Sequence, residues 1–170
     1  MHYIGIDPGI TGAICLLNET ELIDVQDLPT MPVGQGTGRV KNQINAAGFA
    51  ELARMLVAKC EPPDCGVIVF IEKVGAMPDQ GIAGAFSLGD TVGCLRGVVT
   101  ALGLPIHWVT PQSWKKFYKL PKEKDVARSV AINLYPKAPL NLKKHHNRAE
   151  AILIARYGAT HDKAQGEQPF

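Results

Sequence analysis

The stretch Met1-His-Tyr-Ile-Gly-Ile-Asp-Pro-Gly-Ile-Thr-Gly-Ala-Ile-Cys-Leu-Leu17 decides how the rest of the chain is read. Two apolar runs of strand length, Tyr3 to Ile6 and Ala13 to Leu17, flank Pro8-Gly9, a strong chain-reversal signal. The stretch reads as a hairpin near the middle of a sheet, with Asp7 as a carboxylate on its first strand. An aspartate there is costly to bury unless a cation meets it. An Asp that hydrogen-bonds the backbone of its own turn is the alternative these residues leave open.

Two further acids share that setting. Val67-Ile-Val-Phe-Ile71 is the continuous apolar pattern of a strand covered on both faces, and it ends in Glu72. Ligand sites in open α/β sheets lie beyond such strand ends. A salt bridge to Lys73 or a helix terminus is the plainer role for Glu72. The third acid, Glu150, lies in an expected helix from His146 to Tyr157, among Ala149, Ala151, Ile152, Leu153 and Ile154. His146, Asn147 and Glu150 fall on one side of that helix. A glutamate in such company is rarely buried without a partner. If the three acids meet, they raise one another's pKa unless a cation neutralises them. Mg²⁺ or Mn²⁺ suits carboxylates combined with amide and water oxygens. Two such ions about 4 Å apart activate a water and stabilise a leaving oxygen in phosphodiester cleavage.

The remaining elements follow in order. Glu21 to Leu28 reads as a third strand ended by Pro29 and Pro32, and Val33 to Val40 as a mobile glycine-rich loop without P-loop spacing. Asn45 is the expected N-cap of a helix reaching Lys59, stopped by Pro62-Pro63. Gly75 to Gly84 reads as a flexible loop, and 85–102 as a small-residue helix with Gly89, Gly93 and Gly97 spaced for close packing. Pro105 to Val109 is a short strand. Thr110-Pro111 opens a helix carrying Trp114, which is read as core, and Lys115. Glu123 to Tyr135 is a helix with Val126, Val130 and Leu134 inward. Gly158 is the expected cap of the last helix. One domain, 1–158, and a disordered tail, 159–170, are expected.

The totals exclude several classes. At 46% hydrophobic and 20% charged over 170 residues, the chain has the composition of a globular domain. No apolar run reads as long enough to span a bilayer, and no signal peptide is seen. Cys15, Cys60, Cys65 and Cys94 form no CxxC pair and read as reduced, mostly buried cytoplasmic thiols. The net charge is only +2, but from 107 to 148 ten Lys and Arg face two acids, Glu123 and Asp125. That block fits a polyanion-binding surface or, alternatively, a solvated lysine-rich face.

The order of elements resembles the RuvC-type Holliday-junction resolvases of the RNase H-like superfamily, in a phage or prophage flavour. The pieces that carry the resemblance are Gly5-Ile-Asp-Pro-Gly-Ile-Thr-Gly12, Ile71-Glu72, Thr110-Pro-Gln-Ser-Trp-Lys115 and His146-Asn-Arg-Ala-Glu-Ala151. The resemblance implies an α/β fold: a five-stranded mixed sheet, its first three strands antiparallel, with helices on both faces. It implies a homodimer that nicks a four-way DNA junction symmetrically in a bacterial or phage-infected cytoplasm, leaving 5′-phosphate and 3′-hydroxyl ends. Asp7, Glu72, Glu150 and Asn147 would hold two Mg²⁺ or Mn²⁺ ions, with His146 and Lys124 as further catalytic residues. Lys115, Lys116, Lys119, Lys122, Lys124, Lys143, Lys144 and Arg148 would bind DNA.

Two positions depart from the family pattern. Asn147 and Glu150 stand where two aspartates are common, so Asn147 offers a carbonyl oxygen but no charge. Gly75 replaces an aromatic used for base stacking, leaving Met77 or Phe86 as candidate wedges. A junction-binding protein with weakened catalysis, and an RNase H-type nuclease on other substrates, are the alternative functions. An actin-like ATPase would need a second domain and phosphate loop.

Overall fold

The computed structural model describes residues 1–19, 21–34, 41–61, 66–75, 81–121 and 124–166. Five strands form the main sheet: β1 (His2–Asp7), β2 (Ala13–Leu17), β3 (Leu22–Asp27), β6 (Val67–Glu72) and β7 (Ile106–Val109), in the order β3-β2-β1-β6-β7. The first three pair antiparallel, whereas β1–β6 and β6–β7 are parallel. This is the mixed five-stranded sheet that the sequence led us to expect.

The two central strands are apolar on both faces, and each face has its own core. Ile4, Ile6, Val69 and Ile71 pack with Phe49 and Leu56 of α1 (Ala46–Val57) and Leu95 and Val99 of α2 (Ile82–Ala101). Tyr3 and Phe70 point the other way. They join Trp114 of α3 (Pro111–Phe117), Ala127 and Ala131 of α4 (Lys124–Leu134), and the apolar face of α5 (His146–Gly166). Alternation along a strand therefore turns Asp7 and Glu72 toward α5, because they lie an even number of residues from Tyr3 and Phe70.

Local chemistry sets the helix starts. Asn45 caps α1, its Oδ1 accepting from Gly48 N at 3.0 Å. Thr110 caps α3, its Oγ1 accepting from Ser113 N at 3.2 Å, with Pro111 following. Gly5 and Gly12 are held small by backbone. A Cβ on Gly5 would lie 2.2 Å from Ala151 O, and one on Gly12 would lie 2.1 Å from Asp7 O.

Several expectations need correction. α5 does not stop at Gly158 but runs to Gly166, so residues 159–166 are helix and not a tail. Gly158 is small because the Phe70 ring crosses it: a Cβ there would lie 2.3 Å from the ring. Pro32 does not end the strands. It sits in β4 (Thr30–Val33), which pairs with β5 (Lys41–Ile44) in a separate two-stranded ribbon, where an edge proline costs no ladder bond. On α4 the inward stripe is Ala127, Val130 and Ala131, continued by buried Tyr135, while Leu134 is exposed.

By length and composition alone α2 passes as a candidate membrane span, with 17% of that window buried. Asp90 and Arg96 interrupt it, so it holds no continuous apolar run of the length a bilayer needs. Thr91, Leu95 and Val99 face the core, while Ile82 and Phe86 are 91% and 79% exposed. Among the described residues, no atom lies within 4 Å of a Cβ placed on Gly89, Gly93 or Gly97.

Candidate active site

Parallel pairing brings the first two acids together. Ile6 stands opposite Ile71, and one more step of that register sets Asp7 beside Glu72 at the C-terminal ends of adjacent strands. Neighbouring strands lie about 4.8 Å apart. Both acids are buried. The third arrives on α5 because Gly5, two residues before Asp7 on the same face, lets Ala151 approach β1 without a side chain between them. Glu150 precedes Ala151 and interacts electrostatically with Glu72.

Glu72 is tied to α3. Its Oε1 accepts a 2.8 Å hydrogen bond from Trp114 Nε1 in the interior. Burial pushes its carboxyl above the usual carboxylate range. The Trp114 bond opposes that rise, Glu150 adds to it, and Lys115 opposes it. Lys115 Nζ lies 3.9 Å from Glu150 Oε1 and 5.0 Å from the Trp114 ring centroid. Adjacent residues of α3 thus touch one acid each.

Other expected site residues are distributed as follows. Asn147 donates from Nδ2 to the carbonyl oxygen of Thr11 and, at 2.9 Å, to Thr11 Oγ1. Its amide therefore ties α5 to the turn after Asp7, and its oxygen remains the atom suited to a cation. His146 is half-buried, with Nδ1 3.4 Å from Lys143 O. Arg148 is engaged within the chain. Its Nε and Nη2 grip Asp27 at 2.6 and 2.8 Å, the bidentate fork that a phosphate would otherwise take. Lys116 is exposed at the end of α3, and Lys119 follows it with a positive φ of 52°. Lys143 and Lys144 are exposed in a 3-10 turn leading into α5. Lys122, Met77, Cys65, the 35–40 loop and the side chain of Lys124 lie outside the described residues. Cys15, Cys60 and Cys94 are in no disulfide among the described residues, and the first two are buried.

Among the described residues, no three His, Cys, Asp or Glu side chains are already gathered at metal-holding separation. The donor set still fits a hard divalent ion: two buried carboxylates on adjacent strands, a third that acts electrostatically on Glu72, and the Asn147 amide oxygen on the same helix as that third acid. A cavity of about 510 Å³ lies away from it, between β3 and residues 134–139, and contains none of the three acids.

Sequence reasoning missed the Trp114–Glu72 bond and the Arg148–Asp27 fork, which join residues 42 and 121 positions apart. A Trp-Lys pair just after a Thr-Pro helix start was the available signal for the first.

No model of a known protein family matches the chain. A curated relative, the chloroplastic Holliday junction resolvase MOC1 of Chlamydomonas reinhardtii, is 28% identical over 120 residues, 66% of this chain. The chain spans only 14% of that relative's length. Two solved structures cover the whole chain at 18% identity. Thermus thermophilus RuvC in complex with Holliday junction substrate superposes with a TM-score of 0.66, and another Thermus thermophilus RuvC structure with 0.54. The chain has the RuvC-type, RNase H-like fold.

Proposed function

We propose that the chain is a metal-dependent endonuclease that resolves four-way DNA junctions. The observation that carries this reading is the placement of Asp7 and Glu72 side by side at the ends of parallel strands, with Glu150 delivered to them on α5. The RuvC-type fold and the resolvase relative point the same way.

Hydrolysis of a phosphodiester joins a water oxygen to phosphorus and breaks the bond to the 3′ oxygen, which takes up a proton. The ends are then 5′-phosphate and 3′-hydroxyl. Bound Mg²⁺ or Mn²⁺, as two ions, would supply an acidified water and charge at the leaving oxygen. Asp7, Glu72, Glu150 and the Asn147 carbonyl oxygen would hold the ions. Lys115, freed from Glu150, neutralises a phosphate oxygen beside them. His146, four residues before Glu150 on α5, stands at the edge of the site. Lys116, Lys119, Lys143 and Lys144 hold the DNA backbone, with Lys122 and Lys124 beside them in sequence.

Symmetric nicking needs two sites. The α2 face with exposed Ile82 and Phe86, and with Gly89, Gly93 and Gly97 open among the described residues, is proposed to pack on the same face of a second copy. The test of the function is incubation with a mobile four-way junction and Mg²⁺ or Mn²⁺, with Asp7→Asn as control. Paired nicks at symmetric positions, absent from the control, are expected. Equal nicking by both proteins would reject the assignment.

A further inference from the structure

α3 reaches two of the three acids through adjacent residues, and the two contacts differ in kind. Lys115 brings a full charge to Glu150 on a flexible stem, 42% exposed, so it can leave when another cation arrives. Trp114 brings a neutral donor that cannot accept a proton. Its indole is fully buried and fixed by the core between α3 and α5. The N–H therefore satisfies one oxygen of Glu72 without cancelling its charge. A charged partner in that place would compete with a metal ion, and an apolar one would leave a buried carboxylate oxygen without a donor.

We propose that Trp114 is the positioning residue of Glu72: its indole N–H fixes Oε1 and the carboxylate rotamer, so that Oε2 is the oxygen a divalent cation takes. This rests on the proposed metal site and extends it to a residue that touches neither metal nor DNA. Partners that orient a metal ligand are worth about 10- to 100-fold in metal affinity. A tryptophan that merely fills the core would affect stability instead.

The test uses the full chain and Mn²⁺ alone, with free Mn²⁺ followed by electron paramagnetic resonance. Trp114→Phe removes the donor and keeps a ring. Benzothienylalanine incorporated at position 114 keeps the bicyclic outline and puts sulfur in place of the N–H, so that a folded donor-less protein is in hand even if Phe packs poorly. Near-ultraviolet circular dichroism checks the fold. The expected result is Mn²⁺ binding weakened by about 10- to 100-fold in the benzothienylalanine protein with its fold intact. The concentration of Mg²⁺ needed for half-maximal nicking should rise in parallel, and saturating Mg²⁺ should restore the rate. Unchanged Mn²⁺ affinity in that folded protein overturns the role of Trp114 and leaves the metal site standing. No Mn²⁺ binding by the unmodified chain overturns both.

Discussion

Gly5 and Ala151 are in backbone contact: a Cβ on Gly5 would lie 2.2 Å from the Ala151 carbonyl oxygen. That contact sets the depth at which α5 crosses β1, and hence where Glu150 sits relative to Asp7. Gly5→Ala forces backbone apart, since neither partner is the end of a flexible side chain. Overpacking of this kind costs about 1–3 kcal/mol. Urea unfolding should show a lower midpoint for Gly5→Ala, and nicking should fall further than the loss of folded protein explains.

Gly158→Ala separates two opposed effects. Alanine in a helix interior gains up to about 1 kcal/mol over glycine. The new methyl would also lie 2.3 Å from the Phe70 ring, and overpacking outweighs the propensity gain. The variant is expected to melt lower than the parent. A rise in melting temperature would show that α5 rides free of Phe70.

Glu72 makes the metal-free protein less stable than it could be. Its carboxyl is raised, chiefly by burial. A carboxyl that holds its proton more tightly folded than unfolded loses stability as pH climbs from about 4.3, the unfolded value, through the folded one. Glu72→Gln removes that loss, and its amide oxygen still accepts the Trp114 bond. Without metal the variant should melt above the parent at about pH 8, with the gap closing near about pH 4. With Mn²⁺ the order should reverse, because only the parent is stabilised by binding.

Much of this architecture was legible because it is local. The capping side chains of Asn45 and Thr110 act within three residues, and the run Val67 to Ile71 declares a doubly covered strand by composition alone. Gly158 was misread because a helix-stopping glycine and one pressed by an aromatic ring look the same in sequence. Of the site, the acids were visible as charges set in apolar runs. Their second partners were not: the aim of the Trp114 indole and the capture of Arg148 by Asp27 depend on how α3, β3 and α5 pack.

The Arg148–Asp27 fork predicts a pH dependence of the opposite sign. Arg148 holds the Asp27 carboxyl below its usual range. Its contribution is present above about pH 4, the unfolded value, and fades as pH falls through the lowered folded value. Because Asp27 is 58% exposed, solvent screening limits the pair to about 0.5–1 kcal/mol. Asp27→Asn should lose that much at neutral pH and nothing in strong acid, in denaturant titrations at both. Junction affinity should rise, because the freed Arg148 fork can take a phosphate.

Phe86→Glu places a charge at an exposed apolar position of α2. Sedimentation equilibrium should find the parent dimeric and the variant monomeric. Each variant monomer should still bind Mn²⁺, while paired nicks give way to single ones. A monomeric parent, with and without junction DNA, would end the proposal that α2 meets its own copy.

Convergence of Asp7, Glu72 and Glu150 on shared divalent ions is tested most directly by Mn²⁺ anomalous scattering from crystals of the chain. The account predicts anomalous peaks between β1, β6 and α5, with carboxylate oxygens of all three acids at about 2.0–2.2 Å, the range for a small hard cation. Mn²⁺ bound elsewhere, or bound to Asp7 and Glu72 with Glu150 still beside Lys115, would contradict it.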